Sequence, residues 1–334
     1  MNILTENYKL YNGDCLEKFK YIEDKSIDLV LIDPPYNIGK DKWDKWKTIE
    51  EYTEFMGEVF SECQRVLKDN GSFYFFHNDF LQMVELQNYI NKNTKFKFKQ
   101  LLVWNKRYDG VKNKGFLDGF CEVEKLRNYQ QMSEYCLFYT FQDDYIDNKL
   151  YLECVKDVQN YVKELIYKYK GNVTKANEFY CQYSGKTGNY RSLFFGKCQP
   201  VLYTEQQYKG LCEYIKQLGC NETLKTYEEI LKMCDRTKYE KLRYTFNNLK
   251  EHHSVMNYEI VKKQGHITPK PVDLLEYLIK TSSNENDIIL DCFMGSGSTG
   301  VACMNTNRKF IGIELDEKYF NISINRIFEN YSIK

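Results

Sequence analysis

Two short motifs in this sequence contain residue types that could do chemistry. Asp33-Pro34-Pro35-Tyr36 follows the apolar run Ile27 to Ile32, which predicts a buried strand with polar groups at its carboxyl end. Near the other end of the chain, residues 291–297 read Asp-Cys-Phe-Met-Gly-Ser-Gly and follow the apolar run Ile288 to Leu290. The glycines predict a tight turn, and Ser298 to Asn305 can begin a helix. Each of the two predicted strands is therefore followed by a motif, and the two motifs contain different functional groups.

The first motif has the groups needed to activate an amino nitrogen. An ionised Asp33 can accept one amino hydrogen and the carbonyl oxygen of Pro34 the other, which localises the nitrogen lone pair. Proline suits positions 34 and 35 because it donates no backbone hydrogen bond and restricts the backbone. Tyr36 offers an aromatic face to a planar substrate. The alternative is structural: a proline pair that ends the strand, followed by a buried tyrosine.

The elements that must position these motifs have an α/β rhythm. Beside the two runs already named, the sequence predicts strands over Tyr8–Asn12, Ser72–His77, Lys97–Trp104, Glu134–Thr140 and Phe310–Ile313. Helices are predicted over Tyr52–Leu67, closed by Asn70-Gly71, and over Pro271–Lys280 and Lys318–Glu329. Between residues 142 and 262 the pattern changes to long helices with glycine breaks. We therefore expect one sheet built from residues 1–141 and 263–334, interrupted by a helical insertion at 142–262.

Composition limits the class of protein. Lys+Arg and Asp+Glu are equal at 47 each, so the chain is not globally basic and a polyanion must be met by local patches. The twelve cysteines form no Cys-x-x-Cys pair and the four histidines lack zinc-ligand spacing, so we expect free thiols and no metal. No stretch of 18 apolar residues and no signal-peptide pattern is present, which predicts a cytoplasmic protein without a membrane partner.

The order of the motifs resembles the beta class of S-adenosylmethionine-dependent DNA adenine-N6 methyltransferases. In that family the Asp-Pro-Pro-Tyr motif precedes the recognition region and the cofactor motif follows it. Further matches are Asn12-Gly13-Asp14-Cys15, Val103-Trp104-Asn105-Lys106, Glu134-Tyr135, the segment His266 to Pro271, and Phe310 to Glu314 with Tyr319. Two departures are Cys292, where the family usually has proline, and Met294, at a position that is often small.

The resemblance implies a fold and a reaction. The expected fold is a doubly wound, Rossmann-like methyltransferase sheet with circularly permuted motif order and a helical target-recognition insertion. The expected enzyme is site-specific, of the restriction-modification or orphan type. It moves a methyl group from S-adenosyl-L-methionine to the N6 amino group of an adenine flipped out of double-stranded DNA. A homodimer and a cognate restriction endonuclease are candidate partners that the sequence leaves open.

The resemblance also assigns roles to single residues. The catalytic set is Asp33, Pro34, Pro35 and Tyr36, in which Tyr36 stacks on the flipped base. The expected cofactor contacts are Asp14, Cys15, His266, Thr268, Lys270, Asp291, Phe293, Gly295, Gly297, Ser298, Thr299 and Glu314. Within that set Asp291 receives the ammonium group, Glu314 the ribose hydroxyls, and Thr268 with Lys270 the carboxylate. Asp14 can address the adenine edge or simply cap an element, and the role of His266 is equally open.

Candidate DNA contacts come from three regions. Residues 92–127 contain ten basic and four acidic side chains, a local excess that suits either phosphates or a solvated face. Residues 39–47 combine cations with two tryptophans. The third region is the insertion, in which Tyr161–Tyr169 and Thr174–Tyr180 have the spacing of a helix-turn-helix and Lys186, Asn189, Arg191 and Arg243 follow. The predicted contacts are Lys42, Trp43, Lys106, Arg107, Lys186, Asn189, Arg191 and Arg243. Ordinary surface lysines on a helical insertion are the alternative.

Several other functions fit the sequence less well or stay open. Residues 295–299 lack the Gly-Lys-Ser/Thr ending of a phosphate loop, and a dinucleotide site lacks its third glycine. Covalent cytosine-C5 methylation needs a cysteine nucleophile, and none of the five prolines is followed by cysteine. Cytosine-N4 methylation, an RNA or protein substrate on the same fold, and a catalytically silent DNA-binding module stay open. Asp rather than Ser at position 33 favours adenine.

Overall fold

The structure is a computed structural model that describes residues 2–39, 44–111, 129, 131–185, 187, 202–234, 242–247, 249, 253–261 and 269–329. The chain divides into two compact units. The sheet unit comprises Met1–Phe141 and Tyr244–Lys334, and the helical unit comprises Gln142–Arg243. The predicted start of the insertion at residue 142 agrees with this division, whereas its predicted end at residue 262 is wrong. The segment after Arg243 belongs to the sheet unit because Val255–Asn257 pairs with a strand of the sheet.

The sheet unit contains nine described strands in a single sheet. They are β1 (Asn2–Leu4), β2 (Tyr8–Asn12), β3 (Ile27–Ile32), β4 (Leu67–His77), β5 (Lys97–Asn105), β6 (Ser133–Thr140), β7 (Val255–Asn257), β8 (Ile288–Asp291) and β9 (Lys309–Glu314). Their order is β1-β2-β9-β8-β3-β4-β6-β5-β7. The central strands β2, β9, β8, β3 and β4 are parallel, and β6 is antiparallel to both of its neighbours. Strands from both ends of the chain therefore build one sheet, as the motif order predicts.

Helices cover both faces of the sheet. They are α1 (Cys15–Lys18), α2 (Ile49–Val66), α3 (Phe80–Asn93), α8 (Val272–Ser282), α9 (Ser298–Asn305) and α10 (Glu317–Glu329), with a 3-10 turn at Phe19–Tyr21. Strand β4 shows the alternation that feeds two cores: Phe73 and Phe75 join the layer under α2 and α3, while Tyr74 and Phe76 join the layer under α8 to α10. The doubly wound fold is thereby confirmed.

Local predictions in the sheet unit were partly wrong. Asn70-Gly71 was expected to close helix α2, but the helix ends at Val66 and both residues lie inside β4. The strands β1 and β7 and the helix α3 were not predicted. The two missed strands are only three residues long, which is too short for a periodic signal.

The helical unit contains α4 (Asp144–Lys168), α5 (Val173–Ser184), α6 (Glu205–Gln217) and α7 (Tyr227–Met233). The predicted break between the first two helices is present at Lys170 and Gly171. Asn172 begins the next helix, since its side-chain oxygen accepts a hydrogen bond of 2.9 Å from the Lys175 amide. The core of this unit includes Val155, Leu211 and Ile230. Across the described helices of the chain, none is long and apolar enough to cross a membrane.

Candidate active site

A cavity of about 360 Å³ lies at the carboxyl ends of the central parallel strands. Parallel strands end at the same edge of a sheet, so the turns after β3 and β8 meet there. Most predicted site residues line this cavity: Asp14, Cys15, Asp33, Pro34, Pro35, Tyr36, Lys270, Asp291, Phe293, Gly295, Ser298, Thr299 and Glu314. The two motifs, more than 250 positions apart in the chain, therefore share one cavity. His266 and Thr268 lie outside the described residues.

Both carboxylate oxygens of Asp33 are engaged by the chain. The Tyr36 hydroxyl donates a hydrogen bond of 2.5 Å to Oδ1, and the Lys270 ammonium lies 2.5 Å from Oδ2. The Tyr36 ring is buried, with its centroid 4.8 Å from that of His77. Burial, followed by the charges of Asp33 and Glu134, raises the pKa of Tyr36 well above its usual range. Tyr36 is thus a neutral donor that orients Asp33, a role that the stacking prediction did not include.

The carbonyl groups of the proline turn differ in their hydrogen bonding. The Tyr52 hydroxyl donates to the Pro35 carbonyl over 2.7 Å, and the Gln82 side-chain amide donates to the Tyr36 carbonyl over 3.0 Å. Within the described part of the chain, no hydrogen bond reaches the Pro34 carbonyl. The turn therefore leaves the Pro34 carbonyl as an acceptor beside Asp33.

A buried histidine supports this turn, although no pattern in the sequence indicated it. The Asp79 amide donates to His77 Nδ1 over 3.1 Å, so the ring proton is assigned to Nε2, which lies 3.1 Å from the Tyr52 hydroxyl. Burial lowers the pKa of His77 to about 4. The ring is therefore neutral at physiological pH, donates to Tyr52, and leaves the Tyr52 proton for the Pro35 carbonyl.

Asp291 occupies the end of the cavity formed by β8. The carboxylate is buried and accepts hydrogen bonds from the Thr299 hydroxyl (2.6 Å) and the Phe293 amide (3.0 Å). Burial raises the pKa of Asp291 to about 7, although both hydrogen bonds lower it. A buried carboxylate that is only half ionised at neutral pH suits a cationic ligand group, because a positive charge would favour the ionised form.

Glu314 stands at the end of β9, beside the glycine-rich turn. Its oxygens accept hydrogen bonds of 2.8 Å from the amides of Gly295 and Asp316, which fix the carboxylate at the cavity wall. Burial raises the pKa of Glu314 from its usual value. A carboxylate held in this way after a parallel strand is the arrangement that receives ribose hydroxyls in doubly wound nucleotide sites.

A protein-family model described as DNA methylase, covering N6 and N4 methyltransferases, matches residues 27–325. The chain belongs to this family. The match spans both motifs and the helical unit between them, and it confirms the resemblance inferred from the order of the motifs.

Two relatives of this DNA methylase carry informative names. The DNA adenine methyltransferase YhdJ of Escherichia coli (strain K12) is 28% identical over 328 residues, which cover 97% of this chain and 83% of that protein. The Type II methyltransferase M1.MboII of Moraxella bovis is 26% identical over 318 residues, which cover 95% of each chain.

Solved structures share the fold. The M1.HpyAVI-SAM complex is 18% identical with a TM-score of 0.51, and the alignment covers 96% of this chain and 98% of that one. The cytosine-N4-specific PvuII DNA methyltransferase is 13% identical with a TM-score of 0.54, and the alignment covers 96% and 86% of the two chains. At these identities the likeness confirms the Rossmann-like methyltransferase fold.

The glycine-rich turn of this methylase packs closely against α10 at Gly297. Gly297 has φ +78°, and a Cβ there would lie 2.8 Å from the Cβ of Ser323 in α10. The missing side chain therefore permits both this backbone conformation and the close packing. From the same helix Arg326 donates to the carbonyl (2.8 Å) and the hydroxyl (2.6 Å) of Ser296. No sequence signal identified this support of the turn.

Lys270 has different partners from those predicted. A cofactor carboxylate was expected, whereas the structure gives it Asp33 and Glu134, whose Oε2 lies 3.2 Å from the ammonium. Burial lowers the pKa of Lys270, but the two carboxylates outweigh that effect and raise it overall. Lys270 also lines the cavity, so its contact with a cofactor carboxylate stays a prediction.

The predicted DNA contacts divide into three groups. Lys106 is largely buried, forms an ion pair with Glu134 and lies over the Trp104 ring, so the structure contradicts its assignment to a phosphate surface. Arg107 and Arg243 are partly exposed, each within its own unit. Lys42, Trp43, Lys186, Asn189 and Arg191 lie outside the described residues.

Hydrogen bonds hold the residues that follow the turn Asp33–Tyr36, which we call the catalytic turn. The Asp44 carboxylate accepts a hydrogen bond of 2.6 Å from the Asn37 amide, and Asn37 Oδ1 accepts one of 2.8 Å from the Trp46 amide. The Trp46 ring packs 5.1 Å from the rings of both Tyr52 and Phe55 and lines the cavity. Trp46 is therefore packed against these two rings and also forms part of the cavity wall. Asp14 likewise caps α1 through the Leu16 amide (2.8 Å) while lining the cavity.

Proposed function

We propose that this DNA methylase transfers a methyl group from S-adenosylmethionine to the N6 amino group of an adenine in double-stranded DNA. The observation that carries the proposal is the position of Asp33 and the Pro34 carbonyl in the same cavity as Asp291 and Glu314. One end of the cavity thus offers two acceptors to an amino group, and the other offers acids to a charged, hydroxylated ligand. Asp at position 33 and the likeness to a DNA adenine methyltransferase favour adenine.

The residues present fit the cofactor. Asp291 would receive its ammonium group, Glu314 its ribose hydroxyls, and the ring of Phe293 would pack against it. Asp14 and Cys15 supply a further part of the wall. S-adenosylmethionine supplies an electrophilic methyl group carried by a sulfonium.

The chain itself must make the adenine amino group a better nucleophile. That nitrogen shares its lone pair with the ring, and two acceptors placed to bind its two hydrogens favour a pyramidal nitrogen with a localised lone pair. Asp33 and the Pro34 carbonyl are those acceptors, and Tyr36 fixes one oxygen of Asp33. Tyr52 and Gln82 hold the neighbouring carbonyls, so that the turn keeps its shape.

The target base must leave the duplex to reach Asp33, because its amino group is inaccessible in a stacked helix. We assign recognition of the DNA sequence to the helical unit and the segment after the catalytic turn, where Lys42, Trp43, Lys186, Asn189, Arg191 and Arg243 supply cationic, amide and aromatic groups. A homodimer and a cognate restriction endonuclease remain predictions from the family resemblance, and a cytoplasmic location remains a prediction from the sequence.

The test is to incubate the purified protein with S-adenosylmethionine and unmethylated duplex DNA, and to identify methylated nucleosides by mass spectrometry. N6-methyl-2′-deoxyadenosine is expected in the DNA, and an Asp33→Ala protein is the control. N4-methylcytosine would replace the proposed base, which the family description also covers. No product with varied DNA, although the cofactor binds, would refute the proposal and direct the search to RNA.

A further inference from the structure

Glu134 lies at the centre of a group of four charges, in which Glu134 and Lys270 are buried and Asp33 and Lys106 are partly exposed. It is 6% exposed, and it pairs through Oε1 with Lys106 and through Oε2 with Lys270. The Tyr36 hydroxyl lies 3.4 Å from the same Oε2. Lys270 is the shared member, since its ammonium also lies 2.5 Å from Asp33 and 3.1 Å from the Tyr36 hydroxyl.

The four charges balance. Asp33 and Glu134 contribute two negative charges, and Lys106 and Lys270 contribute two positive ones. Buried charges are tolerated when they are paired, whereas removal of one partner leaves an uncompensated charge that strongly destabilises its surroundings. Lys270 can therefore move away from one carboxylate without a large penalty only if another carboxylate is within reach. Glu134 is that carboxylate.

Asp33 needs such an arrangement to act on an amino group. Its Oδ1 is held by Tyr36 at 2.5 Å and its Oδ2 by Lys270 at 2.5 Å. A target amino group that donates to Asp33 must compete with one of these donors. Tyr36 is buried and neutral, with a fixed ring. Lys270 has a flexible side chain and a second carboxylate only 3.2 Å away.

We propose that Glu134 is a positioning residue for methyl transfer: it gives Lys270 an alternative partner, so that the ammonium leaves Asp33 Oδ2 when the target amino group arrives. This inference rests on the proposed function. Lys106 holds Glu134 in place from its other oxygen. Without Glu134, Lys270 pairs with Asp33 alone and a net positive charge remains buried, so the amino group meets a stronger competitor.

The test compares steady-state kinetics of the full-length Glu134→Gln, Lys270→Met and double variants on duplex DNA. Glu134→Gln should lower kcat about tenfold or more while the Kd of the cofactor changes less than about threefold. The double variant restores the charge balance and removes the competitor, so its kcat should exceed that of Glu134→Gln. Glu62→Gln, which interrupts the separate pair with Arg65, is the matched control and should keep wild-type kcat.

The outcomes separate this inference from the proposed function. A Glu134→Gln protein with wild-type kcat and KM for DNA overturns the inference, and so does a double variant no more active than Glu134→Gln. If Glu134→Gln does not fold, Glu134→Asp keeps the charge and must retain higher activity than Lys270→Met. A wild-type protein that methylates neither base overturns the proposed function and this inference together. If the wild-type protein methylates DNA and Glu134→Gln has the same kcat and KM, only the inference is overturned.

Discussion

The Thr299 hydroxyl donates a hydrogen bond of 2.6 Å to Oδ2 of Asp291, inside the cavity wall. It partly offsets the burial that raises the pKa of Asp291 to about 7. Because Asp33 and Glu314 act in the same direction as burial, the carboxylate is poised between its two protonation states at neutral pH. A cationic ligand group would draw it to the ionised form.

Cofactor binding should therefore depend on pH. Below pH 7 Asp291 must lose a proton before it can pair with an ammonium group, so the affinity for S-adenosylmethionine should rise about tenfold per pH unit and level off above pH 7. Titration calorimetry between pH 5 and 8 measures this, with proton release detected from buffers of different ionisation enthalpy. Thr299→Val should move the midpoint to higher pH, and a flat wild-type profile would contradict the assignment.

The same group should make the stability of the cofactor-free protein depend on pH. The folded pKa of Asp291 is raised above its usual 3.8. The stability that protonation of this carboxyl contributes is therefore fully present below pH 3.8 and is lost as the pH rises through 7. The shift corresponds to about 4 kcal/mol. Asp291→Asn should remove this loss, so urea unfolding should find the variant more stable relative to wild type at pH 8 than at pH 5. Equal differences at both pH values would count against it.

The strands that were predicted correctly include the two that precede the functional motifs. Ile27–Ile32 and the strand after Asp287 were recognised from apolar runs, and the parallel pairing of their strands brings Asp33 and Asp291 to one cavity. The start of the insertion at residue 142 was recognised because the pattern of alternating strands and helices changes there to long helices, whereas the end of the insertion was not recognised. Val255–Asn257 is a three-residue strand whose identity depends on pairing with β5, which no local pattern reveals.

Side-chain partners were the part that the sequence could not supply. Lys106 and Glu134 are 28 positions apart and Lys270 is 136 positions beyond Glu134, so their ion pairs depend on the order of strands in the sheet. His77 was likewise invisible, because one histidine at a strand end carries no signal until Tyr52 and Asp79 are placed around it. The sequence motifs identified which side chains could be functional, but the partners of each side chain depend on tertiary contacts.

Asp33 is expected to be needed for transfer rather than for cofactor binding. Asp33→Ala removes one acceptor for the amino hydrogens, so kcat should fall about a hundredfold or more. The Kd of S-adenosylmethionine should stay within about threefold, since Asp291 and Glu314 are untouched. Lys270 keeps Glu134 as a partner, so the fold should survive. Single-turnover rates and calorimetry measure the two quantities, and substantial residual turnover would refute the role of Asp33.

Met294, one of the two residues that depart from the family pattern, is accommodated by Gly312. A Cβ at position 312 would lie 2.4 Å from Met294 Sδ and 2.7 Å from a ring carbon of Phe310. Gly312→Ala should therefore destabilise the protein by about 1–3 kcal/mol. Met294→Ala in the same chain should recover part of that loss, because it relieves one of the two clashes. Chemical denaturation of the two single variants and the double variant measures the coupling, and strictly additive losses would contradict it.

Tyr52 should prove essential to the shape of the catalytic turn. Its hydroxyl receives the His77 Nε2 proton and donates to the Pro35 carbonyl, and the ring is fully buried. Tyr52→Phe removes the hydrogen-bond partner of that carbonyl and of His77 Nε2, which should cost about 1–3 kcal/mol of unfolding free energy. It should also lower kcat with little change in cofactor affinity, because the Pro34 carbonyl loses its fixed direction. Tyr21→Phe, at an exposed ring, is the control. A Tyr52→Phe enzyme that loses stability but keeps full kcat would restrict Tyr52 to packing.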